Sequence, residues 1–400
     1  MPGVTKHISA HDIRDIISMW SKQLQTIIPI LPCEYGKNEI ISLLKELYPH
    51  EWKSVEYKYL YYKKKDEYIK KQTGKTRHNM PLATKLLDKV PLYKKLLSVE
   101  YKERWRSSFS ADTQALEQQA LYSKRKPKID KVDEKIAIAK AKTQQVTPDF
   151  IDKLIGLYER KNTSQKDRMY ILLELKKYYN SRVIDFFFKL NDTELNRQLR
   201  WIAFYHLQTF NYNPRARKQK YMSIHTKNKK RKYYLNNVYP YEKYDIPETP
   251  QELEYRINNS KEQLLKRYDY FISHSSKDGM SVQSLIAAEN QLQKNVFCDW
   301  INDVDYLKRH LVCEATLNVI ERRMEQSEAL IFVESENSIN SIWCKYELNY
   351  FSELGKPIFI ITKENIDAGV FDLQPIKTDW YIDPNYKKLA LLKGSSIQVC

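Results

Sequence analysis

The chain has 400 residues, 42% of them hydrophobic and 29% charged. That is enough apolar material for two or three packed domains, and it excludes a wholly disordered or collagen-like chain. The net charge is +17, but it is uneven: residues 261–400 carry −4 and residues 1–260 carry +21.

The asymmetry points to a basic part that meets an anionic partner and a near-neutral part with a different task. A solvated Lys- and Tyr-rich surface is the alternative. No apolar run reaches the roughly 18 residues of a membrane-spanning helix. The stretch Met1-Pro2-Gly3-Val4-Thr5-Lys6-His7 has no apolar signal core behind it. The five cysteines are scattered, with no Cys-x-x-Cys pair. That argues against a disulfide framework or a zinc centre, and a reducing cytoplasm is expected.

Residues 1–130 read as a basic, mainly helical region. Glu39–Tyr48 has apolar residues three and four apart and stops before Pro49. Glu51–Lys71 places many Tyr and Lys on one helix, with lysine stems along the rings. Thr73–Pro81 reads as a loop, and Ser123–Lys128 as a proline-broken basic connector. Residues 131–235 form a helical module, close in pattern to helical repeats. Thr147-Pro148 marks a helix start, with Thr147 as its cap. An apolar face then runs over Asp167–Lys189, and a second follows the break at Asn191–Glu194. Two basic clusters close the module, Arg215, Arg217 and Lys218, then Lys229, Lys230, Arg231 and Lys232. Tyr221, Tyr233 and Tyr234 lie among them. Such a pattern suits contact with phosphates and unpaired bases, or with another anionic partner; a flexible, solvated linker face is the alternative. Pro240, Pro247 and Pro250 mark a linker over residues 236–265, which ends in a lead-in helix.

Residues 266–400 alternate strand and helix. Tyr268–Ile272, Asn295–Asp299, Ala329–Val333 and Ile358–Ile361 read as strands, with Thr378–Ile382 as a fifth. Helices are expected near Ser281–Lys294, Arg309–Met324 and Asn340–Leu354. Continuous apolar strands separated by helices predict a flavodoxin-like parallel sheet covered on both faces. Ligands in such folds bind beyond the carboxyl ends of the strands. That rule gathers the loop Ser273–Asp278, the segment Trp300–Arg309 and the start of the third helix around one crevice.

Two motifs sharpen this reading. One is Tyr268-Asp269-Tyr270-Phe271-Ile272-Ser273-His274-Ser275, and the other is Ser341-Ile342-Trp343-Cys344-Lys345-Tyr346-Glu347-Leu348. Together, with the strand order between them, residues 266–395 resemble a TIR (Toll/interleukin-1 receptor) domain of the plant and bacterial type. The resemblance implies cleavage of the nicotinamide–ribose bond of NAD+, with Glu347 as the essential carboxylate. It also implies an immune, antiviral effector that self-associates through this domain, with the N-terminal region sensing a trigger. The Pro-Gly of animal receptor TIR domains is missing after the second strand, which favours the enzymatic branch over a scaffold. No cofactor or metal is expected, because NAD+ is the substrate. Phe271, Ile272, Ser273, His274, Asp303, Leu307, Lys308 and Trp343 are the expected substrate contacts. Glu347 and Trp343 lie one turn apart on one helix face.

Other motifs fail. Gly74-Lys75-Thr76 lacks the earlier glycine of a phosphate loop, since position 69 is Ile69. His7 and His11 have helical spacing but no third ligand.

Overall fold

The computed structural model describes residues 4–216, 222, 224 and 226–376. The chain divides into two compact units: residues up to Ala137 with Gln208–Asn213, and Ile138–Leu207 with the chain from Pro214 onward.

The first unit is helical. Val4–Ile27, Lys37–Leu47 and Pro49–Thr73 close around Trp20, Leu24, Leu44, Trp52 and Val55, all buried. Pro49 opens the third helix, where its missing N–H costs nothing. Gly74 ends it at φ 72°, a left-handed conformation in which a Cβ would be strained. The expected break at Ser123–Lys128 does not occur. Pro127 lies inside one helix, Ala111–Ala141. Proline removes one backbone donor and crowds the preceding turn, but tertiary contacts hold this segment. Arg125 Nε donates to the Leu47 carbonyl at 2.8 Å, and its guanidinium sits 4.0 Å from the Tyr48 ring centre.

The second unit joins a helical module to the α/β domain. The apolar run Asp167–Lys189 forms two helices, Gln165–Lys176 and Ser181–Thr193. Ser164 and Asn180 cap them by accepting from the N–H groups of Asp167 and Val183. Phe150–Glu159 starts after Asp149, not at Thr147, and Thr147 is not its cap. Its apolar face buries Ile151 and Leu154.

The sheet contains β1 (Tyr268–Ser273), β2 (Val296–Phe297), β3 (Ser327–Glu334), β4 (Ile358–Thr362) and β5 (Gln374–Pro375). Their order is β2-β1-β3-β4-β5. The first four are parallel, and β5 runs antiparallel to β4. Thr378–Ile382 lies outside the described residues. Helices cover both faces, as the unbroken apolar strands require. One face packs Phe271, Phe297, Leu330 and Phe332 against Leu317 and Phe351. The other packs Ile272, Ile331 and Val333 against Val282 and Leu285. Among the described residues no helix is long and apolar enough to cross a membrane.

Candidate functional site

Register places the site. Ser273 ends β1 opposite Phe332 of β3, and Phe271 pairs with Phe297 of β2. Ser273 with His274 after it, and Cys298-Asp299 after Phe297, therefore emerge side by side at the carboxyl edge of the sheet. Ser341 caps the helix Ile342–Glu353 by accepting from the Cys344 N–H, and this helix carries Trp343 and Glu347 to the same edge.

Ser273 Oγ donates to Glu347 Oε2 at 2.6 Å. Glu347 keeps some contact with solvent, but close packing raises its pKa to about 8. The Ser273 hydroxyl pulls the value down, and the Asp299 charge adds to the rise. Cys298 and Cys344 sit near enough to feel the Glu347 charge. Burial pushes the Cys344 thiol up to about 12 and the Cys298 thiol well above its usual range, so neither is a ready nucleophile. His274 follows β1 and stands beside Cys298. Its Nδ1 is 3.2 Å from the Ile272 carbonyl, and its Nε2 is 4.0 Å from Cys298 Sγ. A half-buried carboxyl held by a hydroxyl, with a second carboxylate nearby, can stabilise positive charge that develops on a sugar.

The other expected contacts divide. Trp343 is half-buried and packs against the cluster of Phe271 and Phe332. Phe271 and Ile272 point into opposite cores, so only their backbone reaches the edge. Asp303 does not join the group. Its side chain is completely buried and accepts from Arg323 Nε at 2.8 Å and Lys177 Nζ at 3.1 Å. Lys177 also donates to Glu174, whose other oxygen accepts from Lys266 at 2.7 Å. Burial alone would raise both carboxyls. Arg323, then Lys177 and Lys266, hold Asp303 well below its usual range; Lys177, then Lys266, hold Glu174 at about 2. Leu307 packs beside Leu253 and Val319, and Lys308 pairs with Glu248 of the lead-in segment. Arg217 and Lys218 lie outside the described residues. Arg215 is half-buried. Lys229, Lys230, Arg231 and Lys232 are exposed in the first turn of the helix Lys229–Asn237, where positive charge opposes the helix dipole.

Sequence reasoning missed Cys298 and Asp299. Their signal was the end of β2 itself, which the carboxyl-edge rule puts beside Ser273.

The family described as Thoeris protein ThsB, TIR-like domain, matches residues 271–367. A protein of Cytobacillus dafuensis named putative cyclic ADP-D-ribose synthase TIR2 is 35% identical over 369 residues, spanning 92% of this chain and 94% of that protein. The chain belongs to the TIR-domain protein family. Its TIR domain is also similar to the probable 3′ cyclic ADP-D-ribose synthase ThsB′ of Bacillus cereus (strain MSX-D12), 35% identical over 96 residues. That match covers 24% of this chain and 49% of the relative. Toll-like receptor 2 of Cricetulus griseus is 32% identical over 111 residues, 28% of this chain and 13% of the receptor. No solved structure matches. The site described above lies within this TIR domain, and Glu347 ends its Trp-Cys-x-x-Glu motif.

Proposed function

We propose that the TIR domain cleaves the nicotinamide–ribose bond of NAD+ and closes the ADP-ribose into a cyclic product. In this reading the protein acts in antiviral defence in the cytoplasm. The supporting observation is the Glu347 carboxyl, held by Ser273 at the carboxyl edge of the sheet. The name of the TIR2 relative supports the cyclic product. Nicotinamide leaves as a neutral molecule, so the step needs no strong acid and no resident cofactor. It needs a carboxylate beside the ribose as that sugar takes on oxocarbenium character. A hydroxyl or ring nitrogen of the same molecule then attacks the anomeric carbon in place of water. Hydrogen-bonding groups for the diphosphate lie in the loop after Ser273, at His274–Ser276, and His274 flanks the ribose position.

The deciding assay follows NAD+ loss with nicotinamide, ADP-ribose and cyclic products separated by chromatography. It is run over a range of protein concentrations, with and without nucleic acid. A rate per chain that grows with concentration supports self-association of the TIR domain. Stimulation by nucleic acid supports a sensing role for the basic clusters, a reading favoured by the cationic first turn at Lys229–Lys232. Absence of any nicotinamide release under all these conditions rejects the enzymatic reading in favour of a scaffold.

The raised pKa gives a pH signature. The groups that act on Glu347 are Ser273 at the end of β1, Cys298 and Asp299 after β2, and Cys344 on its own helix. The free site holds Glu347 mostly protonated at neutral pH, while the chemistry needs the carboxylate. The value of kcat/KM, which reports free enzyme, rises with pH to a plateau above a midpoint near 8. A profile flat between pH 6 and 9 would remove Glu347 from this role.

A further inference from the structure

We propose that His274, Cys298 and Asp299 form a binding site for a zinc-class divalent cation on the rim of the Glu347 crevice, and that the bound ion inhibits the enzyme. One ligand atom from each lies within 4.8 Å of the other two. The separation of His274 Nε2 and Cys298 Sγ is 4.0 Å. Tetrahedral zinc, with bonds of about 2.0 Å to nitrogen and 2.3 Å to sulfur, sets that edge at roughly 3.6 Å. Small side-chain shifts therefore close the site.

The donor set selects the ion. A thiolate, an imidazole and one carboxylate suit zinc, whereas magnesium and calcium take oxygen ligands. Each ligand is also held from behind. His274 Nδ1 faces the Ile272 carbonyl, which makes Nδ1 the protonated nitrogen and leaves the Nε2 lone pair directed toward Cys298. Asp299 Oδ1 accepts from the Trp300 N–H at 2.9 Å, which leaves its other oxygen for the ion. The Cys298 N–H donates to Asn302 Oδ1 at 2.8 Å and fixes the turn. Parallel pairing of β1 and β2 brings the three together although the sequence separates them, which is why no spacing motif announces them.

Binding is coordination with proton release. The Cys298 thiol gives its proton to solvent, the sulfur lone pair goes to the metal, and nothing is oxidised or reduced. The fourth position stays open to water. With its thiolate and carboxylate ligands the bound ion is neutral overall, where the free site carries the single negative charge of Asp299; that removes an attraction for the cationic nicotinamide ring, and coordination takes His274 out of the pocket. The inhibitory part rests on the NAD+ reading above; the binding part does not.

The test uses the full, tag-free chain after EDTA treatment. Zinc is titrated against a chromophoric chelator, and cobalt(II) is added in parallel as a spectroscopic probe. One tight equivalent per chain is expected, with a thiolate-to-cobalt charge-transfer band. Cys298→Ser abolishes the band and weakens zinc at least tenfold. Asp299→Asn, a change nearer the surface that spares the core, weakens zinc about tenfold. Glu347→Gln binds zinc within threefold of wild type. One equivalent of zinc suppresses NAD+ consumption, and EDTA restores it. Absence of a tight equivalent, or tight binding unchanged in both Cys298→Ser and Asp299→Asn, overturns the site. Tight zinc binding by wild type that leaves NAD+ consumption unchanged overturns the inhibition alone. The metal titration reads out even if the chain consumes no NAD+, so the two readings fail separately.

Discussion

Glu347→Gln is expected to lower NAD+ cleavage at least a thousandfold while leaving the TIR domain folded. Glutamine keeps the shape and can still accept from Ser273, so the 2.6 Å hydrogen bond survives. It lacks the negative charge that steadies the ribose cation. Removing one preorganised electrostatic group of this kind costs about 10²–10³ in rate, and here the group carries a full charge. Stability separates lost chemistry from lost fold. Glu347 has a folded pKa of about 8 against an ordinary value of 4.5. Between those values the folded state binds more protons than the unfolded state, so this group erodes wild-type stability as pH rises from about 4.5 to 8. The variant escapes that loss. Its melting temperature should match wild type near pH 4 and exceed it at pH 8. An inactive variant that is also less stable at pH 8 would mean a packing role for Glu347 instead.

The parts of this protein that were readable in sequence share a physical cause. β3 and β4 are buried on both faces and therefore appear as unbroken apolar runs. Glu347 was found because a local motif carries it, and the helix that bears it starts with a capping serine. Long-range partners leave no such trace. Asp303 reads as a substrate contact in a polar loop, yet it is buried against Arg323 and reaches Lys177, 126 residues away. Pro127 reads as a break, yet contacts made by Arg125 hold the helix through it. His274 and Cys298 meet only through strand pairing. Periodicity reports which face of an element is apolar; it is silent on which charges from distant segments will be buried together.

Asp303→Asn is the substitution expected to damage the second unit most. Lys177, Lys266 and Arg323 share a buried site with Glu174 and Asp303, so three cations face two anions. Removing one carboxylate leaves three cations around a single anion, and breaking a buried pair this way costs about 3–5 kcal/mol. Urea denaturation should show a lower midpoint with an unchanged slope. Lys177→Met is the contrasting change. It leaves two cations with two anions and should cost less. The pH dependence fixes the cause. Asp303 and Glu174 both have folded pKa values below their ordinary 3.8 and 4.5. Their contribution is present above those ordinary values and is lost as pH falls below about 4. The gap between wild type and Asp303→Asn should therefore close on acidification, whereas a gap from lost packing would persist. The same network reaches the chemistry. The Asp303 N–H donates to the Asp299 carbonyl at 2.9 Å, at the far end of the short helix Asp299–Asn302. One end of that helix stands beside Glu347, and the other is held by a lysine of the helical module. Loosening it should shift the midpoint of the kcat/KM profile as well as the melting temperature, because Asp299 helps set the Glu347 pKa. Loss of stability with an unmoved midpoint would make Asp303 a structural residue only.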